Sequence, residues 1–375
     1  MALNRREWLR QTSLTGGLAL VSGLGFVQTL SAAEKKKFRP RPFENPIRLS
    51  SNENPYGPSE KVRQTIVDHF DIACRYPYQY GDELVSLLAQ KEGVTPNHIV
   101  LTGGSTEALR ITGLTFAANG GEIIAGQPTF LAMMDFAEKW GASINWVPVN
   151  EKLEYDLQEI EKRVSDKTKL VFLCNPNNPT GTIVPKNDLV DFCRSVSSKT
   201  IVFSDEAYYD FIDDPGYPSM ISLVKADKNV IVSRTFSKVY GLAGLRIGYL
   251  VAKPEIAMKI KANIVAFTNV AAIVAARTAM EDTEFYNFSL QQIKGGKQII
   301  YKHLDELNLP YIPSQTNFVF FKSGKDINWL NQQFKAQGIL VGRPFPPFTD
   351  WCRISIGTPE EVRLFNQKLS QILKA

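Results

Sequence analysis

What most constrains the fold of this chain is an alternation of short apolar runs with helical stretches that begins near residue 61. Residues 99–101, 122–125, 144–147, 169–174, 200–204, 229–233 and 247–251 are short and apolar, as buried strands are. Between them the period changes. Val62, Ile66 and Phe70 fall four apart, as on one helix face, and Leu84, Leu87 and Leu88 repeat that spacing before Gly93. A further helix is expected to start at Ser105-Thr106-Glu107, with a hydroxyl at the cap and an acid in the first turn. Such alternation predicts an α/β domain on a mostly parallel sheet, whose sites lie at the carboxyl ends of strands. Past residue 260 the pattern gives way to an alanine-rich helical region and then to strands over 317–322 and 352–356. That predicts a smaller α+β domain over 261–375, after a large domain over 61–260.

The chain has 375 residues, 44% of them hydrophobic, which excludes a disordered tail, a collagen and a disulfide mini-scaffold. Residues 1–33 read as an address instead of structure. Asn4-Arg5-Arg6-Glu7-Trp8-Leu9-Arg10 resembles the twin-arginine export motif, and 11–33 carry no charge but enough Gly, Ser and Thr to stay only weakly apolar. That suits a signal segment cleaved after Ala33, with an uncleaved membrane anchor as the alternative. The expectation is export through the twin-arginine machinery to the periplasm. An extended arm follows over 34–60, with Pro40, Pro42, Pro46, Pro55 and Pro58. Without residues 1–33, whose charges sum to +2, the net charge of +5 falls to +3. No basic stripe interleaved with aromatics appears, so nucleic acid is not an expected partner. The four cysteines show no CxxC pair and the three histidines lie far apart, which argues against a metal site and a Ser-His-Asp hydrolase.

The residues with chemistry to offer stand at predicted strand ends. Ser237-Lys238 follows the strand over 229–233, with Gly241, Gly244, Arg246 and Gly248 close behind. A lysine after a buried strand is unusual, because ammonium groups avoid burial unless paired or reacting. It suits a Schiff-base lysine beside a phosphate site, or alternatively a surface lysine in a glycine-rich turn. The glycines do not fit GxGxxG, and no GxxxxGK[ST] loop is present. Ser204-Asp205-Glu206-Ala207-Tyr208 puts two carboxylates and a phenol after another strand, and Asn175-Pro176-Asn177-Asn178-Pro179-Thr180-Gly181 follows a third. Gly103-Gly104-Ser105-Thr106 opens a helix whose amides and dipole suit a phosphate. Singly, each is a common turn or cap; their order and spacing make coincidence hard to sustain.

In that order the clusters resemble those of the fold-type I pyridoxal-phosphate aminotransferases, and most of all the histidinol-phosphate aminotransferase branch. The likeness runs from Leu49 to the C-terminus and includes Ser51-Asn52-Glu53-Asn54-Pro55-Tyr56-Gly57-Pro58, Arg75-Tyr76-Pro77 and Arg353-Ile354-Ser355-Ile356-Gly357-Thr358. It implies an α/β fold-type I architecture, pyridoxal 5'-phosphate as cofactor and a homodimer. It also implies roles. Lys238 would carry the cofactor and move the proton, Asp205 would pair with the ring nitrogen, and Tyr208 and Asn178 would bond the ring's phenolic oxygen. Phe130 would stack on the ring, while Ser105, Thr106, Ser237 and Arg246 would hold the phosphate, joined by Tyr76 from the neighbouring subunit.

For the substrate the resemblance implies Arg353 as the carboxylate- or phosphate-gripping arginine, Arg343 as its second, and Tyr56 closing over the site. Two departures stand out. Phe130 occupies a place where many relatives carry Tyr, and Phe345-Pro346-Pro347-Phe348 is short and apolar, which could favour an aromatic amino acid over a phosphate ester. The expected reaction is transamination between histidinol phosphate or an aromatic amino acid and a 2-oxo acid. The alternatives are a lyase acting on a phosphorylated amino acid and, less well matched because Lys238 and Asp205 are both kept, a non-catalytic cofactor-binding protein.

Overall fold

The computed structural model describes residues 45–374; the export segment expected over 1–33 and the arm's residues 34–44 lie outside the described residues. After a two-residue strand, β1 (Ile47–Arg48), come helices α1 (Glu60–Asp68) and α2 (Tyr78–Glu92). A seven-stranded sheet follows: β2 (Ile99–Thr102), β3 (Glu122–Gln127), β4 (Ser143–Pro148), β5 (Thr168–Cys174), β6 (Ile201–Asp205), β7 (Val230–Thr235) and β8 (Gly248–Ala252). Their spatial order is β2-β8-β7-β6-β5-β3-β4, with β8 alone running against its neighbours. The α/β architecture on a mostly parallel sheet is therefore as the alternation predicted, each strand within two residues of its expected place.

Both faces of the sheet are covered, so its strands read as unbroken apolar runs. Leu170, Phe172 and Cys174 of β5 join one core layer with α3 (Ser105–Ala117), while Val171 and Leu173 join the other with α1 and α2. This is the two-residue period of a strand read out as two separate cores. One helix stripe is shorter than its spacing implied. Val62 is buried, but α1 stops at Asp68, the Ile72 amide returns to the His69 carbonyl three residues back instead of four, and Phe70 is left 67% exposed in a 3-10 turn. Gly93, with φ of +65°, ends α2 as expected of a glycine C-cap.

Beyond the sheet come β9 (Tyr311–Ile312), β10 (Phe318–Lys322), β11 (Ile339–Leu340) and β12 (Trp351–Ser355). Strands β12, β10 and β9 form an antiparallel sheet, and Phe334 and Phe365 stack at 5.0 Å among its flanking helices. The arm is part of this unit, which its proline content did not disclose. β1 pairs in parallel with β11, and the Ser355 amide donates to the Leu49 carbonyl at 2.9 Å. That contact lays residues 49–53 across the carboxyl ends of β6 and β7.

One glycine in the sheet is demanded by close approach. A Cβ at Gly126 would lie 2.2 Å from the ring of Tyr155, whose hydroxyl donates to Asn177 Oδ1 at 2.8 Å and so steadies the loop after β5. Gly126→Ala should therefore destabilise the fold by roughly 1–3 kcal/mol, the range for overpacking a filled core. The measurement is a urea unfolding curve: a lowered midpoint is expected, and an unchanged one would mean that the Tyr155 ring has room to move.

Candidate active site

The strand ends and the arm enclose a cavity of about 590 Å³. Eleven of the thirteen expected site residues stand on its wall: Ser105, Thr106, Phe130, Asn178, Asp205, Tyr208, Ser237, Lys238, Arg246, Arg343 and Arg353. Two do not. Tyr56, expected to close over the site, is buried edge-on against Phe288 at 4.9 Å and donates to Gln292 Oε1 at 3.2 Å. Its ring joins an aromatic cluster with Phe285 and Phe288 instead. Tyr76 is 76% exposed on the outer surface beside Tyr78 and takes no part in its own chain's cavity.

Two opposite charges lie at the floor. Asp205, the last residue of β6, is buried and accepts from the Ala207 amide at 3.3 Å; burial pushes its carboxyl up to about 7, against the pull of Lys238. Lys238, three residues past β7, is pulled down to about 8, first by burial and then by the charge of Arg353. Its Nζ donates to the Asn52 carbonyl at 3.1 Å and lies 5.4 Å from the centre of the Tyr208 ring. An amine so placed is neutral about a tenth of the time at pH 7, far more often than an ordinary lysine, as a nucleophile or base needs.

The second carboxylate of that segment belongs elsewhere. Glu206 pairs with Arg234 at 2.7 Å, and Ser219 and the Met220 amide complete its hydrogen bonds. Alternation along the chain sends adjacent side chains to opposite sides, so only Asp205 reaches the cavity.

The upper wall is one hydrogen-bonded network. Arg353 Nη1 donates to Asn178 Oδ1 at 2.7 Å and its Nη2 to the Ser50 carbonyl, while Asn178 Nδ2 donates to Tyr208 Oη at 3.3 Å. Arg343 and Arg353 lie over the same ring, Phe345, at 4.3 and 5.0 Å. Among the described residues no carboxylate is within ion-pair distance of either guanidinium, and Arg353 Nε is buried without a hydrogen-bond partner. Burial pulls Arg353 down to about 10, so it stays charged at neutral pH.

At the far corner α3 begins, and its cap differs from expectation. Gly104, not Ser105, is the N-cap, with φ of +79°; Glu107 turns back to accept from the Gly103 amide. Ser105 and Thr106 thus sit inside the first turn with hydroxyls free of capping duty. A Cβ at Gly104 would meet Arg246 Nη2 at 2.5 Å, so glycine is required for the guanidinium to lie there. Arg246 is itself held by the Ala243 and Gly103 carbonyls. Helix amides, two hydroxyls, Ser237 and a guanidinium converge as an anion cradle.

These features fit pyridoxal phosphate. The cradle matches its phosphate, Lys238 its carbonyl carbon, and Asp205 a protonated ring nitrogen, a cationic partner that would hold this buried carboxylate in its charged form. Sequence reasoning gave no role to Ser50, Asn52 or Val341, which also line the cavity. Asn52 carried a usable signal, since Asn is among the residues enriched at positive φ and this one has φ of +55°.

Comparison with known proteins agrees with this geometry. Residues 44–369 match the family Aminotransferase class I and II. The histidinol-phosphate aminotransferase of Caldicellulosiruptor saccharolyticus is 37% identical over 334 residues, covering 88% of this chain and 93% of that one. Histidinol-phosphate aminotransferase 2 of Hydrogenovibrio crunogenus is 38% identical over 330 residues, 87% and 88% of the two chains. Among solved structures, histidinol-phosphate aminotransferase from Sinorhizobium meliloti in complex with pyridoxal-5'-phosphate superposes with a TM-score of 0.82 at 27% identity, covering 88% and 92%. With family and relatives matched over most of its length, and a cavity built at the strand ends where such a site belongs, this chain is a member of the class I and II aminotransferases.

Proposed function

We propose that this pyridoxal-phosphate-dependent aminotransferase takes histidinol phosphate as amino donor and a 2-oxo acid as acceptor. The observation that carries the donor is the pair Arg343 and Arg353 over Phe345, with no carboxylate within ion-pair distance of either among the described residues. Two guanidiniums match the double charge of a phosphate ester, whereas a carboxylate is satisfied by one. The names of the relatives support the same donor. The apolar loop is weaker support for an aromatic donor than its sequence implied: Phe348 packs inward on Phe320 and Trp351, and of that loop only Phe345 lines the cavity.

Bound pyridoxal phosphate supplies an electron sink for the carbanion left when Cα loses its proton. The chain supplies the rest. Lys238 Nζ would hold the cofactor and, in its neutral form, would take the proton from the donor's Cα. Asp205 keeps a proton on the ring nitrogen through charge. Ser105, Thr106, Ser237 and Arg246 would hold the phosphate, Phe130 would lie against the ring, and Tyr208 and Asn178 would donate to its phenolic oxygen. Arg353, locked to Asn178, couples substrate grip to ring geometry.

The chain acts as a homodimer in this reading. Tyr76, Tyr78 and Phe267 expose large rings in contact on one surface, as an interface does, and Tyr76 is free to reach a neighbour's phosphate cradle. Export by the twin-arginine route to the periplasm rests on Arg5-Arg6 and the uncharged stretch after Arg10 alone. That route carries folded proteins, which suits an enzyme loaded with cofactor before transport.

Mixed with histidinol phosphate, the purified holoenzyme should convert its bound cofactor to pyridoxamine phosphate; Arg343→Ala should slow this at least tenfold, about 1.4 kcal/mol, yet spare phenylalanine. Equal losses on both donors would make Arg343 structural, release of carbon dioxide would mark a lyase, and turnover by Lys238→Ala would refute the anchor. For the cofactor-free protein the raised Asp205 value gives a signed pH effect. The folded state holds this proton up to about 7 and the unfolded chain only to its ordinary value of 3.8, so stability falls as pH rises between them. Asp205→Asn should therefore raise Tm relative to wild type above pH 7 and lose that advantage below roughly pH 4; a constant difference across that window would contradict the burial argument. Replacing Arg5 and Arg6 by Lys should leave the protein in the cytoplasmic fraction, and unchanged export would rule out the twin-arginine route. Sedimentation at the mass of a single protomer would rule out the dimer.

A further inference from the structure

Asn52 has every polar atom engaged, and by four different parts of the chain. It is buried with φ of +55°, a conformation that turns its carbonyl and its side chain toward the same cavity. The carbonyl accepts from Lys238 Nζ at 3.1 Å and from Asn317 Nδ2 at 2.9 Å. Its amide donates to Ser355 Oγ at 2.8 Å, and Ser355 Oγ donates in turn to Asn52 Oδ1 at 2.9 Å. Because that hydroxyl already accepts the backbone proton, its own proton is directed at the side-chain oxygen. The side-chain nitrogen must then face the other way, and it donates to Tyr208 Oη at 2.9 Å.

Tyr208 Oη has one proton and two lone pairs. Asn52 Nδ2 fills one lone pair and Asn178 Nδ2, whose own oxygen is held by Arg353, approaches the other at 3.3 Å. With both lone pairs met by N–H donors, the phenolic proton has only the cavity to point at. A hydroxyl that accepts from an amide is also polarised into a stronger donor. We propose that Asn52 is a positioning residue for the reaction: its side chain makes Tyr208 an obligate donor to the cofactor's ring oxygen, while its carbonyl parks the Lys238 amine. This rests on the reading that Lys238 and Tyr208 face bound pyridoxal phosphate.

The sign of the effect follows. A strong donor at the ring oxygen stabilises negative charge there and loosens the proton on the Lys238 nitrogen once it is joined to the cofactor. Removing Asn52's amide weakens that donor, so the proton is held to higher pH. Asn52→Gly is the informative variant, since glycine adopts positive φ without strain and keeps the carbonyl that Lys238 uses.

The experiment titrates the visible absorbance of the holoenzyme against pH, alongside pyridoxal-phosphate affinity and Tm. Asn52→Gly should raise the absorbance midpoint by roughly half to one pH unit, the scale of one lost hydrogen bond, and weaken cofactor affinity. Tyr208→Phe should raise it at least as far, and adding Asn52→Gly to Tyr208→Phe should move it no further. If Asn52→Gly does not fold, Ser355→Ala, which frees the amide to turn, takes its place with the same expected direction. A wild-type midpoint in a folded variant, or shifts that simply add in the double variant, would overturn the role of Asn52. A wild-type chain that develops no visible band with pyridoxal phosphate would overturn the functional reading itself and this role with it.

Discussion

Everything about the site depends on placing Lys238 and Asp205, two opposite charges, at the ends of adjacent strands in a sheet covered on both faces. Inside such a sheet neither charge could be tolerated, and in open solvent neither would have a shifted proton affinity. At the strand ends burial works on both groups at once, pulling the amine down to about 8 and pushing the acid up to about 7. The consequence is an amine that can give up its proton near neutral pH and an acid that needs a cationic partner to stay charged. The cradle at the start of α3 and the arginines over Phe345 stand apart from this pair, each presenting positive charge to the cavity.

How far this was legible in the sequence varied with the range of the interaction. The strands were legible because burial on both faces writes itself as contiguous apolar residues, and the Lys238, Asp205 and Asn178 clusters because each is a short segment at a strand end. What escaped was long-range. The two-residue pairing of β1 with β11 is too brief to leave a period, and nothing in Tyr56's own segment tells that Phe288 will cover it. Nor does the segment around Glu206 tell that Arg234, on the next strand, will pair with it. At the cap of α3 the residue type misled. Ser105 has the chemistry of an N-cap, but Arg246 needs the space that only a glycine leaves at 104.

The aromatic loop near the substrate end carries a related lesson. The loop Phe345-Pro346-Pro347-Phe348 read as favouring an apolar substrate, yet Phe345 and Phe348 both pack on Phe320, with Trp351 stacked beside them. What remains toward the cavity is one face of Phe345 with two guanidiniums laid on it. An aromatic ring beneath a guanidinium contributes attraction without neutralising the charge, as a carboxylate would. The loop therefore works as a platform for cations, and its hydrophobicity says little about the donor.

The seam between residues 49–52 and β12 has a consequence for how the protein is made. Asn52 and Ser355 are 303 positions apart in the chain, and β1 pairs with β11 across a similar span. The ribosome releases Asn52 long before its partners exist, so the cavity cannot close during synthesis; the parallel sheet can form while its last wall is still missing. Final assembly waits on almost the last strand to emerge. Until then the polar arm stays unclaimed, and the chain acquires its active site in one late event, after translation has all but finished.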